Sequence, residues 1–284
     1  MVSLHPDRPH GPLPRTLERA AASAFLIACL ASTGVTPSGA QPASAQLPRT
    51  ASGKPDLNGV WQAANAAHWN LEDHAAAQGP VAALGGAGAV TPGVGVVEGA
   101  TIPYLPAAAK QRDENFRNRL TADPEVKCYF PGVPRATYMP HPFQIVQTDG
   151  DILIAHQYAG ASRTIYMNDH IEAPVDGWMG WSNGRWEGDT LVVEVTGQNG
   201  QTWFDRAGNF GSATLHVIER YTPQGPNHLW YEATIDDPNV FSRPWTIRMP
   251  LYRRVEPNAQ LLEFKCVEFA EEVMYEHLRK PIEN

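Results

Sequence analysis

Charge is scarce in this chain. Asp, Glu, Lys and Arg make up only 18% of its 284 residues, and 30 acidic side chains outnumber 22 basic ones. A formal net charge of −8 lacks the basic excess that binding a phosphate backbone requires, so nucleic acid is excluded as an expected partner. Cysteine is scarce too, since three residues cannot make a disulfide scaffold. No apolar run approaches the ~20 residues that span a bilayer. The histidines form no His-Glu-x-x-His or His-x-His spacing, no Cys-x-x-Cys occurs, and no glycine-rich phosphate loop precedes a helix. Neither a metal site nor a bound cofactor is expected. What the chain has in excess is 24 glycines and 25 prolines, the composition of a turn-rich, strand-rich fold.

The N-terminus reads as an export signal. Arg15 and Arg19 precede an apolar stretch over residues 20–31, and small residues follow it to Ala43-Ser44-Ala45. This is the charged, apolar and A-x-A order of a cleaved secretory peptide, with a second candidate cut after Ala40. Leu26-Ile27-Ala28-Cys29 also fits a lipoprotein box, the alternative being anchorage through Cys29. Loss of residues 1–45 leaves 19 basic and 28 acidic side chains, a net charge of −9, so a membrane surface offers no electrostatic attraction. The expected location is the periplasm or the medium, with no membrane insertion after cleavage. In an oxidising compartment the remaining pair, Cys128 and Cys266, is expected to form a disulfide.

The mature chain divides by composition. Residues 46–125 form an extended lead ending at Trp61, an Ala/Gly/Pro/Val-rich insert over 75–99, and a helix predicted over 106–120, all wrapping the main body. Residues 126–284 form the β domain, which the Trp61 strand joins. Runs at 143–148 and 152–158 flank an Asp149-Gly150-Asp151 turn and read as a hairpin. Further strands are read at 162–167, 190–196, 215–222, 228–236, 244–252 and 260–268, with turn signals at Asn183-Gly184 and Glu187-Gly188-Asp189 and a tail helix at 271–278. Short turns between many strands predict an all-β antiparallel meander, closed into a barrel or folded into two sheets to hide its edges. Leu229, Tyr231, Ala233 and Ile235 share one face of their strand, and Trp230, Glu232, Thr234 and Asp236 the other.

Several stretches carry a resemblance. They are Gly53-Lys-Pro-Asp-Leu-Asn-Gly-Val-Trp61, Cys128 with Pro131-Gly-Val-Pro-Arg135, Pro142-Phe-Gln-Ile-Val-Gln147, Arg163-Thr-Ile-Tyr166, Gly184-Arg-Trp-Glu-Gly-Asp-Thr-Leu-Val-Val193, Leu215-His-Val-Ile-Glu-Arg-Tyr221 and Thr234-Ile-Asp-Asp-Pro238. Together they cover most of residues 53–268 and resemble a group of exported bacterial hypothetical proteins. The Gly-x-Trp strand is similar to the opening strand of lipocalin-like (calycin-like) barrels. The resemblance implies export and an all-β body, and it assigns no chemistry.

Catalytic motifs are judged by context. Gly180-Trp-Ser182-Asn-Gly184 matches G-x-S-x-G, with Asp189 and His216 following in hydrolase order. A nucleophile elbow needs a strand before it and a helix after it, whereas Asn183-Gly184 reads as another turn, which makes Ser182 a turn hydroxyl. His68 and His74, beside Glu72 and Asp73, would share a metal only if their segment curled. The remaining polar candidates are diffuse and strand-borne. His216, His141 and Tyr158 are the candidate catalytic groups, because a His or Tyr inside an apolar barrel serves as an acid or base at a pKa set by burial. His156, Arg163, Tyr166, Trp181, Trp186 and Glu219 are the candidate substrate contacts. The plainer reading gives Arg163, Glu219 and Arg220 cross-strand ion pairs and the Trp residues core packing. His216 and Glu219 lie on opposite faces of their strand, so only one of the two points inward.

Two functions follow. One is a cofactor-independent lyase, isomerase or hydrolase acting on a small apolar or aromatic substrate in the barrel. The other is a carrier of a hydrophobic ligand with the same shape, and a carbohydrate-active surface module using exposed Trp stands behind both.

Overall fold

The computed structural model describes residues 47–278 apart from Pro80 and Asp169, so the signal region and Cys29 lie outside the described residues. Nine strands form one closed barrel: β1 (Gly59–Ala63), β2 (Phe143–Gln147), β3 (Ile152–His156), β4 (Ser162–Tyr166), β5 (Trp181–Glu187), β6 (Thr190–Thr196), β7 (His216–Gly225), β8 (His228–Asp236) and β9 (Trp245–Arg253). Each strand pairs with the next in chain order, and β9 returns to β1 through Trp61 opposite Arg253 and Ala63 opposite Leu251. Closure leaves the sheet without an edge, as expected from the number of strands.

The alternation fixes which side chains fill the barrel. Leu229, Tyr231, Ala233 and Ile235 of β8 are buried with Ile247, Met249 and Leu251 of β9 and Val217, Glu219 and Tyr221 of β7. Trp61, Phe143 and Ile145 close the packing from β1 and β2, and the Trp61 indole N–H donates to the Leu57 carbonyl at 2.9 Å. The barrel interior is therefore core. The ligand expected inside it has to be sought elsewhere.

Four elements differ from the sequence reading. The meander is antiparallel except at β4 and β5, which run parallel, with Ile165 opposite Ser182 and Tyr166 opposite Asn183. Residues 167–180 carry the chain from one rim to the other to allow this. Asn183-Gly184 is not a turn but the middle of β5, where Gly184 pairs with Val193. A Cβ on Gly184 would stand 2.5 Å from both Ile165 Cγ2 and Met167 Sδ, so the glycine serves close approach to β4 rather than positive φ. Replacement Gly184→Ala is expected to destabilise the barrel by about 1–3 kcal/mol through this overpacking, read as a lower urea midpoint. An unchanged midpoint would show that the two side chains yield freely.

The third difference is at 260–268, read as a strand and found as irregular chain. The barrel has already closed through β1, so no edge remains to pair with it, and Leu262 and Val267 are both exposed. The fourth is Tyr158, which follows β3 in a 3-10 turn (Tyr158–Gly160) instead of sharing the strand face of His156. The helix read over 106–120 begins at its proline but is two, α1 (Pro106–Arg117) and α2 (Arg119–Ala122), separated at Asn118. The insert doubles back through bridges His74–Gly93 and Ala77–Val90, then reaches the barrel where Val97 bridges Ile247. A short α3 (Arg135–Tyr138) precedes β2, and α4 (Ala270–Tyr275) lies near the end of the described chain.

Candidate functional site

Apart from the 167–180 crossover, which runs from rim to rim, the strand registers place the long connections at one rim. The β1–β2 segment (64–142), the β3–β4 turn (157–161), the β6–β7 loop (197–215) and the β8–β9 loop (237–244) all emerge there, while the hairpin turns lie at the other. After β9 the chain starts from the hairpin rim and climbs back along the outside. Leu262 N–H donates to Gln157 Oε1 at 3.1 Å, Cys266 joins Cys128, and Phe269 N–H donates to the Val126 carbonyl at 2.8 Å. The expected disulfide is thus formed, and it straps residues 259–270 over the loop-bearing rim.

Beneath this strap lies a cavity of about 370 Å³. Trp69, Leu120, Val126, Tyr158, Phe264 and Phe269 supply most of its wall, and its polar groups include Glu125, His141 and Arg206. Each polar group is positioned by local chemistry. Asp123 caps the 3-10 turn Pro124–Lys127 by accepting the Glu125 N–H at 2.9 Å, with Pro124 at the first helical position, and this aims Glu125 at the cavity. Asp205 fixes the loop that carries Arg206. Its carboxylate accepts the backbone N–H groups of Leu71, Ala207 and Asn209 and the Asn209 side-chain amide. Burial pushes the Asp205 carboxyl up to about 6 against those bonds. The Arg206 N–H donates to the His68 carbonyl, which ties the loop to the Trp69 segment.

Four charges behind the wall form one chain. Arg135, 1% exposed, donates to Asp123 Oδ1 at 2.8 Å and Oδ2 at 3.0 Å, and to Glu125 Oε2 at 2.6 Å. Arg206 then grips Glu125 with two bonds, Nε to Oε2 at 2.8 Å and Nη2 to Oε1, while its guanidinium lies 4.3 Å from the Trp69 ring centre. Burial opposes ionisation of Glu125, but the Arg206 bonds and the charges of Arg206 and Arg135 outweigh it and hold the carboxyl below its ordinary range.

His141 and Tyr158 meet across this wall with ring centres 6.0 Å apart, and Phe264 of the strap contacts both, at 4.8 Å and 5.1 Å. Burial lowers the His141 pKa, helped by Arg206 and opposed by Glu125, so the imidazole is neutral at pH 7. The Tyr158 hydroxyl donates to the Glu125 carbonyl at 3.0 Å, and burial followed by the Glu125 charge raises its pKa. A second histidine, His68, stands near Arg206 and Glu125 with Nδ1 buried and unpartnered, and burial followed by Arg206 pushes it down to about 4.

The other sequence candidates are dispersed. His216 is on the outer face of β7, where Nε2 meets Glu194 Oε1 at 2.8 Å and both side chains are about one-third exposed. Tyr166 and Trp181 stack at 4.9 Å, and Trp186 lies beneath the Lys54 ammonium at 5.9 Å. His156, Arg163 and Glu219 face the barrel interior. Arg163 donates to Glu219 at 2.6 and 3.0 Å and to the Tyr221 hydroxyl at 3.1 Å, while Tyr221 and Tyr231 donate to Glu219 at 3.0 and 2.7 Å. Strands β4 and β7 are not neighbours, so this pair crosses the barrel interior and is not a cross-strand surface pair. Ser182 also faces inward, 3.4 Å from Arg163, on a strand and not in a turn. Burial, with Arg163 close by, pushes His156 down to about 3.

Sequence reasoning missed Glu125, Arg206, Trp69 and Phe264. Two of them had a signal in the predicted disulfide, because joining Cys128 to Cys266 brings residues 125 and 264 to one place. Arg206 had none, since its partner lies 81 positions away. Among the described residues, no three His, Cys, Asp or Glu side chains converge as metal ligands, and no helix is long and apolar enough to cross a membrane. Glu72 and Asp73 accept the Ile102 and Gly95 N–H groups and so pin the insert. No family model, curated protein or solved structure matches the chain.

Proposed function

We propose that the protein binds a small, mostly apolar or aromatic molecule in the strapped rim cavity and acts on it by cofactor-independent acid/base chemistry, with His141 as the proton-transferring group. One observation carries this reading: a neutral imidazole and a fixed Glu125–Arg206 pair converge on an aromatic-walled cavity where the long loops meet. A neutral His141 accepts a proton from an acidic C–H or O–H group. Tyr158 orients the wall, because its hydroxyl is engaged with the Glu125 backbone.

The test is to incubate the purified chain with pooled lipophilic and aromatic metabolites and follow them by mass spectrometry. Converted compounds support the enzyme. For a converted compound, His141→Asn is expected to lower turnover about 10²–10⁴-fold, the range for a general acid or base. Because burial lowers the His141 pKa, the basic form persists down through the ordinary histidine value of 6.5, and turnover falls only at more acid pH. A profile with its acid limb above 6.5 removes His141 as the base.

The carrier reading is favoured by a specific feature, the engagement of the Tyr158 hydroxyl, which leaves His141 as the one unbonded titratable side chain among the uncharged lining groups. Recovery of bound but unaltered compounds would select it. Export, cleavage after Ala45 and kinship with the exported bacterial group complete the proposal. The disulfide supports it, since such bonds persist in oxidising compartments.

A further inference from the structure

Resting on the reading of the rim cavity as a small-molecule site, we infer that its ligand is an uncharged aromatic compound carrying one hydroxyl or carbonyl group, and that acids and amines of the same shape are rejected. The argument begins with charge. Asp123 and Glu125 are matched by Arg135 and Arg206, two carboxylates against two guanidiniums. Every oxygen of Glu125 already receives a guanidinium bond, and its side chain is only 12% exposed.

An entering carboxylate would share the Arg206 guanidinium with Glu125 and stand as a second anion beside a buried one. An entering ammonium would stand as a third cation beside a carboxylate that already holds two guanidiniums. Either ion leaves one buried charge in excess. Two further cations line the cavity and have contacts of their own. Arg119 donates to the Phe116 carbonyl at 2.8 Å and covers the Phe116 ring, and exposed Lys265 lies 3.3 Å from Glu263.

Among the described lining residues, one uncharged polar group is left to meet a ligand. The Tyr158 hydroxyl is engaged with a backbone carbonyl, whereas His141 makes no hydrogen bond to a described residue and its ring stands among Tyr158 and Phe264. A neutral imidazole offers one donor and one acceptor, which matches one hydroxyl or carbonyl group. The aromatic rings supply the apolar contact.

Isothermal titration of the oxidised full chain with four probes of one ring system tests this: 2-naphthalenemethanol, naphthalene, 2-naphthoate and 2-naphthylmethylammonium. The alcohol is expected to bind tightest, naphthalene next, and both ions about thirtyfold or more weaker than the alcohol, the low end of what stranding a buried charge costs. His141→Phe should erase the preference for the alcohol over naphthalene. Glu125→Gln, which releases Arg206, should shift the preference toward naphthoate, and Arg206→Gln toward the ammonium. Naphthoate or the ammonium binding the unmodified chain as tightly as the alcohol would overturn the inference and leave the aromatic site standing. Failure of all four to bind would sink the aromatic-site reading itself.

Discussion

Replacing Glu219 by leucine is expected to cost the fold about 3–5 kcal/mol, the penalty for removing one member of a buried charge pair. Glu219 has no solvent exposure and accepts four hydrogen bonds, two from Arg163 and one each from Tyr221 and Tyr231. Without the carboxylate, the Arg163 guanidinium remains buried with the Ser182 hydroxyl at 3.4 Å and the Tyr221 hydroxyl, neither of which carries the opposing charge. The effect is a lower urea midpoint with the slope preserved, and a midpoint matching the unmodified chain would refute it. The combination Arg163→Met with Glu219→Leu separates charge from shape. It removes both ions together, so most of the loss should return. The Tyr221 and Tyr231 hydroxyls still lack their acceptor, and each unsatisfied group keeps back about 1–3 kcal/mol of the recovery. Exchanging both for phenylalanine should return that remainder.

The same pair shows what the sequence could and could not convey. Its members were visible as an Arg and a Glu on strands, and the period of two put His216 and Glu219 on opposite faces without saying which faces inward; the structure turns Glu219 in and His216 out. Which non-neighbouring strand would face Glu219 depends on barrel closure, which no local pattern encodes. The strand runs at 190–196 and 228–236 were legible to the residue, because alternation and turn chemistry agree there. Asn183-Gly184 misled because a local turn preference was overridden by the approach of Ile165 and Met167 to a backbone without a side chain. The run at 260–268 misled because the barrel closes without it, leaving Phe264 to cover the rim cavity while Leu262 stays exposed. His141 and Tyr158 were recognisable as residue types suited to proton transfer. The Asp123–Arg135–Glu125–Arg206 chain was not, since it is assembled from a capped turn, a short helix and a loop separated by up to 81 positions.

Loss of the Cys128–Cys266 bond should produce the other large effect, and a different one in kind. A cross-link closing 138 residues restricts the unfolded chain by about 4–5 kcal/mol in the chain-entropy treatment, so reduction or the double change Cys128→Ser, Cys266→Ser should lower stability by that order. The native state changes as well. Phe264, Lys265, Cys266, Val267, Phe269 and Ala270 all belong to the strap and form one wall of the cavity. Apart from the disulfide, that wall is held by the Leu262–Gln157 and Phe269–Val126 bonds and by the Phe264 ring contacts. Local opening draws on segments with few buried contacts, and this one pairs with no strand. Limited proteolysis of the reduced chain should therefore cut within 259–275 first, while far-ultraviolet circular dichroism still reports an intact barrel. The Glu219→Leu chain should behave oppositely, losing the barrel as a unit while an oxidised strap stays attached. Equal stability and equal cleavage of the oxidised and reduced chains would deny the strap its role. Strap cleavage without loss of probe binding would move the ligand site away from the wall the strap provides.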